Sequence, residues 1–143
     1  FSLAENYFNQ AEAAVKGFIT VSDGGKALYE SGITSSFLYL GLSETDAEDY
    51  YSQVESLIAW DTSPNKIEAI ITQKWIAVNG ITAEQSWFDY SRTGFPAGLP
   101  ISALATTPDR PVRLFYVAGE LSSNGANVPT QPNAFTAKVF WAN

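Results

Sequence analysis

The stretch SPNKIEAIITQKWIAVNG, residues 63–80, decides the class of fold. Ile67, Ile70, Ile71, Trp75 and Val78 recur in it at helical spacing, so it reads as an amphipathic helix with one apolar face. Ser63 before Pro64 fits an N-cap followed by proline at the first helical position, and Gly80 breaks the helix at its other end. Towards the N-terminus, Thr45 and Glu48 stand in capping-box spacing ahead of Tyr50, Val54, Leu57 and Ile58 on one face, which predicts another helix with an acidic first turn. Further back, Tyr29, Ile33, Phe37 and Leu40 repeat the pattern up to a stop at Gly41. Leu3, Tyr7, Ala11 and Ala14 do the same ahead of the turn signal Ser22-Asp23-Gly24-Gly25, with Glu5, Asn9 and Glu12 elsewhere on the wheel. Two helices joined by a short loop predict an antiparallel pair of the tetratricopeptide kind over residues 1–42. One pair is not a solenoid, which needs about three repeats to bury its faces.

Towards the C-terminus, Thr82 and Gln85 form a second capping-box spacing for a short helix carrying Trp87, Phe88 and Tyr90, so further helices fill residues 43–94. Composition changes at Gly94. The part up to it holds 13 of the 15 acidic residues and only one of the 7 prolines, Pro64. Residues 95–143 therefore read as an irregular tail wrapped over the helices, with one strand at 112–117 and a closing cluster, Val139, Phe140 and Trp141, to hold it down. The expected fold class is mainly α: a tetratricopeptide-like helix pair plus further helices, followed by an irregular C-terminal segment with little strand.

At 143 residues the chain fits one domain, and 45% apolar content supplies a core. Eight basic residues against 15 acidic ones, net −7, leave no basic stripe to displace phosphate counterions, so nucleic acid is excluded. With no His and no Cys there is no triad, thiolate nucleophile or zinc cluster to build. No apolar run approaches the roughly 18 residues of a spanning helix. The sequence contains no Met, so a chain starting at Phe1 is expected to be a piece of something longer, with any signal peptide or lipid anchor upstream.

Paired carboxylates are the only catalytic parts left, and a glycosidase pair needs two of them about 5 to 10 Å apart across a cleft. Nearly all the acids fall at predicted helix starts or on polar faces, and Glu68, next to Ile67, has an ordinary place on its wheel. Asp46, Glu48 and Asp49 lack the spaced pattern and turn glycine of a calcium loop. Gly24-Gly25 lacks the strand and the Lys-Ser/Thr of a phosphate loop. No metal or cofactor is implied. Aromatic rings can bind sugars face-on, and 14% of the residues are aromatic. Trp75 belongs to an apolar stripe and is expected in the core. Trp60, Tyr39, Tyr51 and Tyr90 are less well explained by a stripe, although packing outweighs sugar contact for each.

Ile70-Ile71-Thr72-Gln73-Lys74-Trp75, then Trp87, then Arg92-Thr93-Gly94-Phe95-Pro96, resembles the C-terminal part of SusD/RagB-like proteins, in order and at a suitable gap. Residues 3–17 with Ala27 through Ser36 resemble the family's last tetratricopeptide-like pair. Arg113-Leu114, Tyr116, Glu120 and Asn124 with the closing Lys138-Val139-Phe140-Trp141 resemble its terminal segment. Ser91 stands where the first Arg of a pair is usual, and Val117 where Pro commonly follows the Tyr.

The resemblance implies a non-enzymatic, surface-exposed outer-membrane lipoprotein of Bacteroidota that captures a nutrient, usually a glycan but also peptide, for a SusC-like TonB-dependent transporter. Membrane attachment would run only through a lipid anchor outside this chain, and the remainder of the polypeptide would be a partner. The positions matching the family, Gln73, Lys74, Trp75, Trp87, Arg92 and Gly94, read as structural. Lys74 and Arg92 suit helix C-terminal carbonyls or nearby acids, and Gly94 suits a helix stop. No ligand-contact residue is carried over. The alternative reading is a protein-interaction module without a small ligand. The Ala-rich face of Ala11, Ala13, Ala14 and Val15 is expected to pack on a preceding helix pair.

Overall fold

The computed structural model describes residues 2–142. It is mainly helical: α1 (Leu3–Val15), α2 (Lys26–Tyr39), α3 (Glu44–Tyr51), α4 (Lys66–Val78), α5 (Ala83–Thr93) and a short α6 (Ala118–Ser123), with no strand among the described residues. None of these helices is long and apolar enough to cross a membrane.

α1 and α2 pack antiparallel, and two glycines, one inside α2 and one at its N-cap, show why. Phe8 faces Gly32, where a β-carbon would stand 2.7 Å from its ring, while Ala11 and Ala14, further along α1, face Gly25 at the start of α2. The chain enters α2 with Gly25 left-handed, φ 104°. Ala11 is therefore buried within the pair, and Val15 also packs on the core, so these two are not part of an uncovered face awaiting another helix pair. α1 is turned about one position from the predicted stripe. Leu3 is exposed, and the buried set is Ala4, Glu5, Phe8, Ala11 and Glu12. α4 crosses under the pair with Ala69, Ile70, Ile71, Ala77 and Val78 buried, and α3 packs on α2 through Ala47.

Several expected boundaries move. α4 starts two residues later than Ser63-Pro64 implies: Asn65 is the N-cap, its side chain accepting from the Glu68 N–H at 3.2 Å. The capping box of α3 is Ser43 with Asp46, not Thr45 with Glu48, because Gly41 (φ 82°) ends α2 early enough for Ser43 to be extended. At α5, Thr82 occupies the N-cap position without a side-chain cap bond, and its hydroxyl is buried without a partner.

α3 also stops at Tyr51, so Val54, Leu57 and Ile58 do not continue its face. Val54 is 84% exposed, while Leu57 adopts φ 68° in a loop. Three buried side chains satisfy that loop's backbone. The Tyr29 hydroxyl donates to the Ile58 carbonyl at 2.8 Å, Gln73 Nε2 donates to the Leu57 carbonyl at 2.8 Å, and Ser63 Oγ accepts from the Leu57 N–H and donates to the Ala59 carbonyl. Ser63 is thus a loop clamp rather than a helix cap.

The tail is irregular, as its composition dictates. Residues 112–117 form no strand. Among the described residues their hydrogen bonds to 131–134 run from the Val112 N–H to the Ala134 carbonyl (2.7 Å) and from the Tyr116 N–H to Gln131 Oε1 (2.9 Å), where a side-chain amide stands in for a second strand. Of the closing aromatic cluster, Trp141 meets Phe88 edge-on at 6.2 Å, whereas Phe140 is wholly exposed and anchors nothing.

Candidate functional site

Two of the family-matching residues, Lys74 of α4 and Arg92 of α5, converge on α1. Helical geometry on α4 puts Gln73 and Lys74 on its buried side, each 4% exposed. Gln73 binds the 52–62 loop and stands 3.1 Å from the Tyr50 hydroxyl of α3. Lys74 Nζ reaches Asp89 Oδ2 at 2.7 Å and Asn9 Oδ1 at 2.8 Å. The other oxygen of Asp89 accepts from Arg92 Nη2 at 2.7 Å, and Arg92 forks onto both carboxylate oxygens of Glu12, which also meets Lys16 at 2.6 Å. The charges alternate along Lys74, Asp89, Arg92, Glu12 and Lys16, bracing three helices in a largely buried row.

This arrangement favours fixed charge over proton transfer. Burial pushes the Glu12 carboxyl upward, but hydrogen bonds and charge from Arg92 and Lys16 outweigh it and hold the group below its ordinary 4.5. Hydrogen bonding to Glu12 in turn raises Arg92 against its own desolvation. A carboxylate clamped in its ionised form is a poor general acid near neutral pH.

The remaining family-matching positions have other surroundings. Gly94 is left-handed, φ 77°, and ends α5 with its N–H on the Tyr90 carbonyl at 2.7 Å. Trp75 is half-buried rather than in the core, because the buried side of α4 is taken by Ile70, Ile71, Lys74 and Val78. Trp87 is half-buried on α5 with Phe88 edge-on at 5.2 Å, beside the Trp141 attachment of the tail. The row of charges therefore brings Lys74 and Arg92 together and leaves Trp75 and Trp87 out.

Sequence reasoning placed Glu12 and Asn9 on the polar side of α1 and so missed one of the two acids in the row. The available signal was spacing: Glu5, Phe8 and Glu12 lie at i, i+3 and i+7, on the stripe that carries the buried ring. Of the four aromatics left open, Trp60 is core and stacks obliquely on Tyr29 at 5.4 Å, Tyr39 is exposed, and Tyr51 and Tyr90 are half-buried. Apolar surface gathers instead beside Phe8 and Phe37, where a groove of about 240 Å³ is lined also by Ile33, Leu40, Leu42 and Ile76.

Residues 1–116 match the model of a SusD-like family described as starch-binding and associating with the outer membrane. Among solved structures, a chitin-binding SusD homolog from Flavobacterium johnsoniae is similar, with 27% identity and a TM-score of 0.71 over 96% of this chain. The matched region is 35% of that protein, so the chain spans about a third of its relative's length. Comparison with curated proteins gives no match. The family match runs through the helix pair, the buried charge row of α1, α4 and α5, and the Gly94 stop, and on it the chain belongs to the SusD-like family.

Proposed function

We propose that this chain is the C-terminal scaffold of a surface-exposed outer-membrane lipoprotein that captures a glycan and passes it to a SusC-like TonB-dependent transporter without cleaving it. The family match over residues 1–116, described by starch binding and outer-membrane association, carries this reading. The chitin-binding relative supports a glycan over a peptide as the captured nutrient. In this reading residues 1–42, 43–94 and 95–143 act as helix pair, bracing helices and wrapping tail. Gln73, Lys74, Arg92 and Gly94 hold these parts together and do not touch ligand. The remainder of the polypeptide covers the groove beside Phe37 and the exposed Leu3, Tyr39, Leu40 and Ile76.

Calorimetric titration of the longer protein with chito- and malto-oligosaccharides tests the proposal, with reducing ends assayed in parallel. Saturable binding without new reducing ends is the expected result. Sugar cleavage, or no binding to any glycan in a broad panel, would overturn it.

A further inference from the structure

A second concavity, of about 320 Å³, opens between the first turns of α2, the end of α3 and the 52–62 loop. That volume suits a small ligand. Its wall combines the half-buried Tyr51 and the nearly buried Trp60 with Glu30, Gln53, Asp61 and Thr62, aromatic residues beside polar ones.

Three observations separate this cleft from an ordinary surface dent. The first is preorganisation. The loop forming one wall has its Leu57, Ile58 and Ala59 peptide groups bound by the buried Tyr29, Gln73 and Ser63, so the side chains it projects start from a fixed frame and little ordering entropy remains to be lost on binding. The second is hydrogen-bonding capacity. Glu30 has Lys26 as its ion-pair partner at 3.9 Å, beyond hydrogen-bond length, and Gln53 lines the cleft with its side-chain amide exposed. The third is charge. Two carboxylates, Glu30 and Asp61, face one ammonium, Lys26, which Asp61 holds at 2.6 Å, in a chain of net −7. An acidic sugar would be repelled, whereas vicinal hydroxyls of an uncharged sugar can donate to Glu30 and accept from Gln53.

We propose that this cleft is a glycan subsite for one uncharged pyranose unit, with Tyr51 as the ring platform and Glu30 and Gln53 as the hydrogen-bonding pair. The assignment rests on the glycan-capturing reading above and deepens it by naming contact residues on this chain.

The test titrates the longer protein with chitohexaose and maltohexaose, comparing wild type with Glu30→Gln, Gln53→Ala and the control Glu84→Gln on α5. Each cleft variant should weaken binding of one of the two sugars about tenfold, the scale of one lost hydrogen bond to a charged or planar group, and the control should not. Tryptophan emission should shift on saturation, and the shift should be lost in a Trp60→Phe variant, since Trp60 lines the cleft. Unchanged affinity in both cleft variants, with glycan binding otherwise intact, would overturn the subsite and leave the capture function standing. Failure of the wild type to bind any glycan in a broad panel would overturn that function and the subsite with it. Circular dichroism melts of the variants separate lost contact from lost fold: a variant that binds weakly only because it unfolds counts against the assignment.

Discussion

Replacing Gly32 by alanine should destabilise the protein, although helix propensity alone demands the opposite. An exposed helical glycine gains about 1 kcal/mol on becoming alanine. At Gly32 the new β-carbon would lie 2.7, 2.8 and 2.9 Å from Cε1, Cζ and Cδ1 of Phe8, well inside the ~3.5 Å of ordinary carbon contact. Phe8 is 1% exposed and edge-on to Tyr29 at 6.1 Å, so retreat towards the neighbouring groove would sacrifice that ring contact. Overpacking of this kind costs about 1–3 kcal/mol, which against that gain leaves a net loss of up to about 2 kcal/mol. Urea unfolding followed by far-ultraviolet circular dichroism measures it. In a Phe8→Leu background the clash disappears, and the same change should become neutral or stabilising. Gly80, with open space around its β-position and no left-handed strain, supplies the control: Gly80→Ala should be neutral or slightly stabilising. A Gly32→Ala protein about 1 kcal/mol more stable than wild type would refute the close approach of α1 to α2.

Other outcomes follow from the braced helices. Lys74→Met should cost about 3 kcal/mol, because it leaves Asp89 buried with only one cation, and a loss below about 1 kcal/mol in the same urea assay would count against the bracing role. Glu12 titrates below 4.5 in the folded protein, so its stabilising contribution is complete above that value and is lost as pH falls through the lower folded one. Melting temperatures of Glu12→Gln should accordingly fall less between pH 6 and about pH 3 than those of wild type. Gly94→Ala should lose about 1 kcal/mol from left-handed strain alone, since nothing lies within 4 Å of its β-position, and Gly94→Asn should lose less.

The helices were legible wherever apolar residues alone determine the buried side. Ile70, Ile71 and Val78 announced α4, and Tyr29 with Ile33 announced α2. Legibility failed where a polar group goes inside. Glu12 and Asn9 counted as solvent-facing because periodicity scores every carboxylate and amide as polar, whatever cation waits for it. It failed again at Leu57, whose helical spacing from Tyr50 is genuine but whose burial comes from a loop pinned by Tyr29, Gln73 and Ser63. Residues 112–117 have strand composition, yet a strand needs a neighbour, and among the described residues the tail supplies only Gln131 and Ala134. For the site, the cations Lys74 and Arg92 were visible through the family resemblance, whereas the acids they hold emerge only from three-dimensional proximity.

The row from Lys74 to Lys16 constrains how this protein can vary. Because its members share neighbours, neutralising an interior member such as Asp89 leaves the buried Lys74 without its acid and strips Arg92 of one of its two carboxylates at once. Tolerated change must therefore arrive as compensating exchanges, for instance an apolar residue at 74 together with an uncharged one at 89, while single steps along that route pass through proteins less stable than either end. The seam between α1, α4 and α5 thus couples three helices, and a chimera that takes α1 from one relative and α5 from another should lose stability where the donors differ in charge sign at these positions.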